Sequence, residues 1–153
     1  MAYNLRSLSI VSLAEAKRQL EQIGCDPIGV ALMTDKMLLP VLKLEGLSTK
    51  AANLLKQTFL AKGGEVAVSR ATADLSAECT DVLVFATVKQ YRLALAQLKQ
   101  QPWGLPRVAA AMEQALKAHL QPAYQREYAW PDGKRLVLAE NKTLVMGILN
   151  VTP

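Results

Sequence analysis

The stretch Thr143-Leu-Val-Met-Gly-Ile-Leu-Asn-Val-Thr-Pro153 decides how the chain is read. Its apolar residues run without alternation, which suits a strand covered on both faces, as in a parallel sheet. The run gives way to Asn150, Val151, Thr152 and Pro153. Polar side chains at the carboxyl end of a buried strand sit where α/β enzymes place their chemistry. Outside a larger sheet such a strand is an aggregation hazard, so it is expected either to dock or to be poorly ordered.

Upstream, turn signals divide the chain. Asp132-Gly133, preceded by Pro131, separates the β-prone segments Tyr124 to Trp130 and Lys134 to Ala139, a strong hairpin pattern. Asn141-Lys142 gives a second turn before the terminal run. A hairpin plus one strand is too small to form a core alone. The boundary falls near His119, giving a first domain over 1–120 and an incomplete second piece over 121–153.

Within 1–120, Leu8 to Val11 is β-prone, and Ser12 with Glu15 makes a capping-box pattern. Leu13, Ala16, Leu20 and Ile23 follow at helical spacing, and Gly24 stops that helix. Asp26-Pro27 reads as a turn, and Ile28 to Met33 and Met37 to Leu44 read as strands. Ser48 and Thr49 cap a second helix through Leu60, ended by Gly63-Gly64. Glu65 to Ser69 and Asp81 to Thr87 read as strands, and Val88 to Lys99 as a helix. Pro102-Trp103-Gly104 breaks it, and Pro106 sits near the start of a fourth helix. Strands interleaved with amphipathic helices predict α/β layering, an α+β sandwich of a mixed sheet with helices packed on it.

Bulk properties exclude several functions. A hydrophobic fraction of 51% and a mean hydropathy of +0.13 fit a soluble globular chain. No apolar run reaches the roughly 20 residues needed to span a bilayer. Arg6, Glu15, Lys17 and Arg18 interrupt the N-terminus, which argues against a secretory signal and for a cytoplasmic protein. The net charge of +5 is spread among acids, and aromatics make up only 5%, so nucleic acid is not an expected partner. Lys89, Arg92 and Lys99 fit the wet face of a helix. Cys25 and Cys79 lack CxxC spacing and read as buried or half-buried free thiols. His119 is the sole histidine, at a helix end, so a Ser/His/Asp triad is not credible. Gly63-Gly64 reads as a helix stop rather than a phosphate loop. Met33, Met37 and Met112 are core candidates. Trp103 is expected to anchor a loop and Trp130 to cap the hairpin.

The string Val145-Met-Gly-Ile-Leu-Asn-Val-Thr-Pro153 resembles the opening strand of dihydropteroate synthase. That family's eight-stranded (β/α) barrel commonly begins with a small hairpin and then a strand carrying this signature; residues 124–153 keep that order. The family motif continues into Asp-Ser-Phe, which is absent here. Leu54-Leu-Lys-Gln57, Gly63-Gly64 through Val68-Ser-Arg70, and Lys89-Gln-Tyr91 look like the N-terminal extension of some members.

The resemblance implies the front piece of a pterin-binding enzyme, cut inside its first barrel strand. The family joins 4-aminobenzoate to 6-hydroxymethyl-7,8-dihydropterin diphosphate and releases diphosphate. Mg²⁺ would neutralise that leaving group, and Asn150 would be one oxygen ligand, with Thr152 in the adjacent loop meeting the diphosphate. The pterin pocket would come from later strands, so the 153-residue chain alone is expected to contain no catalytic residue and to be inactive. The alternative is a non-catalytic module, regulatory, ligand-binding or homodimer-forming, attached to a pterin-binding barrel of a synthase or methyltransferase.

Overall fold

The computed structural model describes residues 3–120, 125–139, 144, 145 and 147. The chain divides into two compact units, Met1–Leu120 and Gln121–Pro153.

The first unit opens with two short helices, α1 (Leu13–Gln22) and α2 (Pro27–Thr34). Half of the expected capping box forms at α1: the Ser12 hydroxyl accepts from the Glu15 amide at 3.1 Å. The Glu15 carboxylate instead accepts from Gln19 and Arg18, which together hold it below the usual carboxylate range. Gly24 follows with φ +84, a conformation that glycine adopts without steric cost.

Residues Ile28 to Met33 are helix, not strand. Asp26 is an N-cap accepting from the Gly29 amide at 2.9 Å, and Pro27 occupies the first turn. Asp-Pro here starts a helix rather than a turn, because proline's fixed φ and missing N–H cost nothing at that position. Leu8 to Val11 carries no regular structure.

The sheet is built from β1 (Val41–Ser48), β2 (Glu65–Val68) and β3 (Cys79–Phe85), in the order β1-β3-β2. Both neighbours run antiparallel to β3, so the sheet is antiparallel and not mixed. Helix α3 (Thr49–Leu60) connects β1 to β2 with β3 lying between them, a split βαβ unit. The link from β2 to β3 holds one 3₁₀ turn, Arg70–Thr72, and is too short for the helical crossover that an adjacent parallel pair needs. The α+β class stands, with five α-helices and two small sheets among the described residues.

The core lies between β3 and the helices. Val82 and Val84 of β3 are buried, with Leu55 and Phe59 of α3. Helix α4 (Val88–Leu98) adds Tyr91, Leu95 and Leu98, and α5 (Leu105–Leu120) adds Leu105, Ala109, Met112 and Leu116. Phe59 and Tyr91 meet edge to face, ring centroids 5.3 Å apart. The Tyr91 hydroxyl lies 2.8 Å from the Val84 carbonyl and 3.3 Å from the Pro40 carbonyl; burial pushes its pKa well above the ordinary phenol range. Thr87 and Gln90 close a complete capping box at α4. Gln90 Nε2 also donates to the Gly63 carbonyl at 2.8 Å, tying the end of α3 to the start of α4. Gly64 is pressed so closely that an added Cβ would stand 2.9 Å from the Ala86 Cβ.

The second unit contains the expected hairpin, β4 (Gln125–Ala129) and β5 (Arg135–Ala139), paired antiparallel with Tyr128 opposite Leu136. Gly133 turns it at φ +83, and the Gly133 amide donates to the Trp130 carbonyl at 3.0 Å. The Trp130 amide donates to the Lys134 carbonyl at 2.9 Å, and the residue's side chain is exposed. The barrel strand expected over Leu144 to Leu149 lies mostly outside the described residues. Leu144, Val145 and Gly147 carry no regular structure, and nothing among the described residues forms part of a barrel. No helix among them is long and apolar enough to cross a membrane.

Candidate functional site

Asn150 and Thr152, the residues the sequence points to, lie outside the described residues. Among the described residues no group of three or more His, Cys, Asp or Glu side chains could hold a metal ion. Mg²⁺ is ordinarily held by one or two carboxylates together with substrate phosphates and waters, so a neutral amide oxygen alone would not hold this strongly hydrated cation. His119 sits in the last turn of α5 beside Lys117, where a cation or donor suits the helix C-terminus.

The first unit carries a cleft of about 460 Å³ that sequence reasoning missed. It is lined by Lys17 and Glu21 of α1, Cys25, then Pro27, Val30, Ala31, Thr34 and Asp35 of α2 and its cap, and Arg92 of α4. Two ion pairs stand at its rim. Arg92 reaches the Asp35 carboxylate at 2.7 Å, and Lys17 lies 3.7 Å from Glu21. The Lys89 amide donates to the Asp35 carbonyl at 3.1 Å, which fixes the end of α2 against the start of α4.

The cleft has an apolar wall and a rim of both signs. Each cation already faces a carboxylate, so the cleft does not favour an anion over a neutral ligand. Cys25 is a half-buried free thiol. The sole histidine is not in the lining, so no imidazole base stands beside it. The arrangement can bind, but it holds no nucleophile–base pair. The signal that could have found it is Asp26-Pro27 read as a helix start: that reading places Val30, Ala31 and Thr34 on the helix beside α1.

A second, shallower groove of about 350 Å³ runs along α3 between Leu75 and Trp103, which hold φ of +58 and +59. Trp103 is half-exposed and lines this groove together with Leu54 and Gln57 of α3. Cys79 is exposed on β3, against the expectation of burial, because the alternation of that strand turns it to the uncovered face. Met112 is in the core, whereas Met37 is exposed, since the strand expected around it begins only at Val41.

Comparison with known proteins gives three matches. The chain is 37% identical over 142 residues to a protein of Halobacterium salinarum named "Probable bifunctional folylpolyglutamate synthase/dihydropteroate synthase", covering 93% of this chain and 16% of that protein. A Haloferax volcanii protein of the same name is 30% identical over 118 residues, 68% of this chain and 13% of the relative. A Helicobacter pylori "Bifunctional dihydropteroate synthase/dihydropteroate reductase" is 27% identical over 137 residues, 90% of this chain and 31% of the relative. The chain thus spans less than a third of each relative's length. No family model matches it. No solved structure matches it. Across most of its length the chain is related to proteins that carry dihydropteroate synthase.

Proposed function

We propose that this chain is the N-terminal portion of a dihydropteroate synthase, an enzyme that condenses 4-aminobenzoate with 6-hydroxymethyl-7,8-dihydropterin diphosphate. The observation that carries this reading is the 37% identity extending over 93% of the chain, together with the terminal Ile148-Leu-Asn-Val-Thr-Pro153. The chemistry asks for a way to stabilise a departing diphosphate. In this reading Asn150 offers a neutral oxygen to Mg²⁺ at a strand end and Thr152 meets the diphosphate. The remaining ligands and the pterin pocket come from residues outside this chain. No step is assigned to the first unit, whose cleft holds no nucleophile–base pair.

The test is a diphosphate-release assay with both substrates on the whole natural reading frame that contains this chain. Activity is expected, and Asn150→Ala should lower kcat by about a hundredfold, as expected for loss of a group that stabilises developing charge. A folded protein with no activity, or an Asn150→Ala variant with unchanged kcat and unchanged Mg²⁺ dependence, overturns the reading. Synthase turnover by the 153-residue chain alone would overturn the placement of the pterin pocket elsewhere.

A second reading concerns the first unit by itself: a non-catalytic module attached to the enzyme. It is favoured by the apolar surface that α2 leaves uncovered.

A further inference from the structure

Leucine and tryptophan rarely hold a positive φ, because a bulky side chain then crowds its own backbone. Among the described residues Asn4, Leu75 and Trp103 are the non-glycine residues that do, and two of these line the groove along α3. Leu75 at φ +58 and Trp103 at φ +59 are 51% and 56% exposed. Strain of this kind persists only where the surrounding structure imposes it, and it gathers at ligand clamps. Helix α3 supplies the rest of the lining, Lys50, Asn53, Leu54 and Gln57. The Asn53 amide is engaged, donating to the Thr72 carbonyl at 2.9 Å. The Lys50 ammonium and the Gln57 side-chain amide have no ion-pair or hydrogen-bond partner among the described residues. Asp74, next to Leu75, is outside the lining, and its carboxylate accepts from the Ser76 amide at 3.0 Å.

We propose that this groove binds a small aromatic carboxylate, its ring against the Trp103 indole and its acid group at Lys50. Charge selects the ligand. In the cleft beside α2 each cation is already closed by Asp35 or Glu21, whereas Lys50 is the one charged residue among those lining this groove and faces no carboxylate. A cationic ligand would meet a like charge. A neutral ring would cover the ammonium and leave it without a partner, which costs free energy. Lys50 stands in the first turn of α3, which holds no acidic residue, so the helix dipole adds to the positive potential there. A polyphosphate would find one cation and otherwise leucine and indole. Size narrows the class further: about 350 Å³ is at the small end of ligand-binding sites, room for a single ring rather than a peptide. The indole offers the flat surface on which such a ring stacks with an offset. Gln57 lies two helical turns beyond Lys50, about 10 Å along the axis, where its amide meets a polar substituent opposite the acid group.

This inference rests on the module reading of the first unit and names its ligand class. It is independent of the synthase assignment, since it is read by binding and not by turnover. The experiment is an NMR titration of the 153-residue chain with benzoate, benzamide and acetate. A Trp130→Phe background leaves the Trp103 indole N–H as the sole indole signal. Benzoate is expected to shift that signal and the Gln57 side-chain amide saturably, with a Kd of about a millimolar or tighter for so small a ligand. Benzamide, which keeps the ring and loses the charge, should bind about fivefold more weakly, the upper range for an exposed ion pair. Lys50→Gln should bring benzoate down to the benzamide level and leave benzamide itself unchanged. Leu75→Asp, which sets a carboxylate on the lining, should abolish benzoate binding, and it decides if Lys50→Gln does not fold. No saturable shift with benzoate overturns the proposal. Equal affinity for benzoate and benzamide overturns the role of Lys50, and acetate binding as tightly as benzoate overturns the role of the ring. Benzoate binding unmoved by a folded Lys50→Gln or Leu75→Asp places the site elsewhere and overturns it as well.

Discussion

The two units solve the same problem of covering a strand pair in opposite ways. In residues 3–120, β3 lies between two partners beneath three helices, and Phe59, Val82, Val84 and Tyr91 are essentially removed from water. In residues 125–139, two strands pair with good turn chemistry, but Tyr128, Trp130 and Leu136 remain exposed by 44%, 50% and 37%. The hairpin's ladder and its Arg135–Glu127 contact of 2.9 Å fix local geometry without burying a core. Hydrogen bonds add little net stability when water can replace them, whereas apolar burial scales with area. The first unit therefore carries stability of its own, and the hairpin is a shape awaiting cover.

The largest expected effect comes from breaking the better-packed side of this contrast. Phe59→Ala removes a fully buried ring that meets Tyr91 and stands against Gly64. A loss of about 3–5 kcal/mol is expected, the usual cost of a large cavity in a core. Urea unfolding followed by Trp103 fluorescence would measure it. A loss below about 1 kcal/mol, within the range of ordinary surface changes, would mean the core tolerates rearrangement and the contrast is overdrawn.

A smaller effect sharpens the other side. Deleting residues 124–153 should leave the midpoint of that urea transition unchanged within error, because Met1–Leu120 forms a compact unit of its own. Solubility should rise, since exposed Val145 and the apolar residues around it are removed. A fall in solubility or stability would mean that the hairpin is integral to the first unit.

Much of this division was legible beforehand because it rests on local chemistry. Ser48, Gly63, the Thr87 cap, Gly104 and the Asp132-Gly133 turn each impose a backbone conformation that few residues supply, and the elements begin and end near them. What was not legible depended on competition between local signals and tertiary context. Ile28 to Met33 is β-branched and apolar enough for a strand, yet Asp26 and Pro27 win by capping a helix. The strand expected from Met37 starts four residues later, after Leu38 is buried and Pro40 accepts from Tyr91. The bulge between Leu44 and Leu47 was hidden, because it follows from Gly46 at φ +66 donating to Asp81 of the neighbouring strand at 3.1 Å. The cleft was hidden for the same reason: Lys17, Asp35 and Arg92 are remote in sequence and meet only once α2 is a helix. For Asn150 and Thr152 the motif alone speaks, since position in a strand end, not any upstream residue, would give them their chemistry.

The smallest expected effect tests whether the hairpin's polar turn has any hold on its geometry. Asp132 accepts from the Lys134 ammonium at 2.9 Å and from the Lys134 amide at 3.1 Å, and these contacts hold its carboxyl below the usual aspartate range. A carboxyl whose folded pKa is depressed favours the folded turn above its unfolded pKa. That contribution fades as pH falls through the depressed value, where both states become protonated. The carboxyl is exposed, so the contribution is modest and salt-sensitive. Carboxyl carbon shifts of Asp132 followed by NMR should therefore titrate below those of an unstructured aspartate. Lys134→Ala should move the midpoint upward only part of the way, because the backbone donor at position 134 remains. A full return to the unstructured value in Lys134→Ala would mean that the ammonium alone held the carboxylate and that the Asp132 turn is not formed in solution. A midpoint already at that value in the wild type would place the whole hairpin in the unfolded ensemble, which would carry the contrast between the units from packing to folding itself.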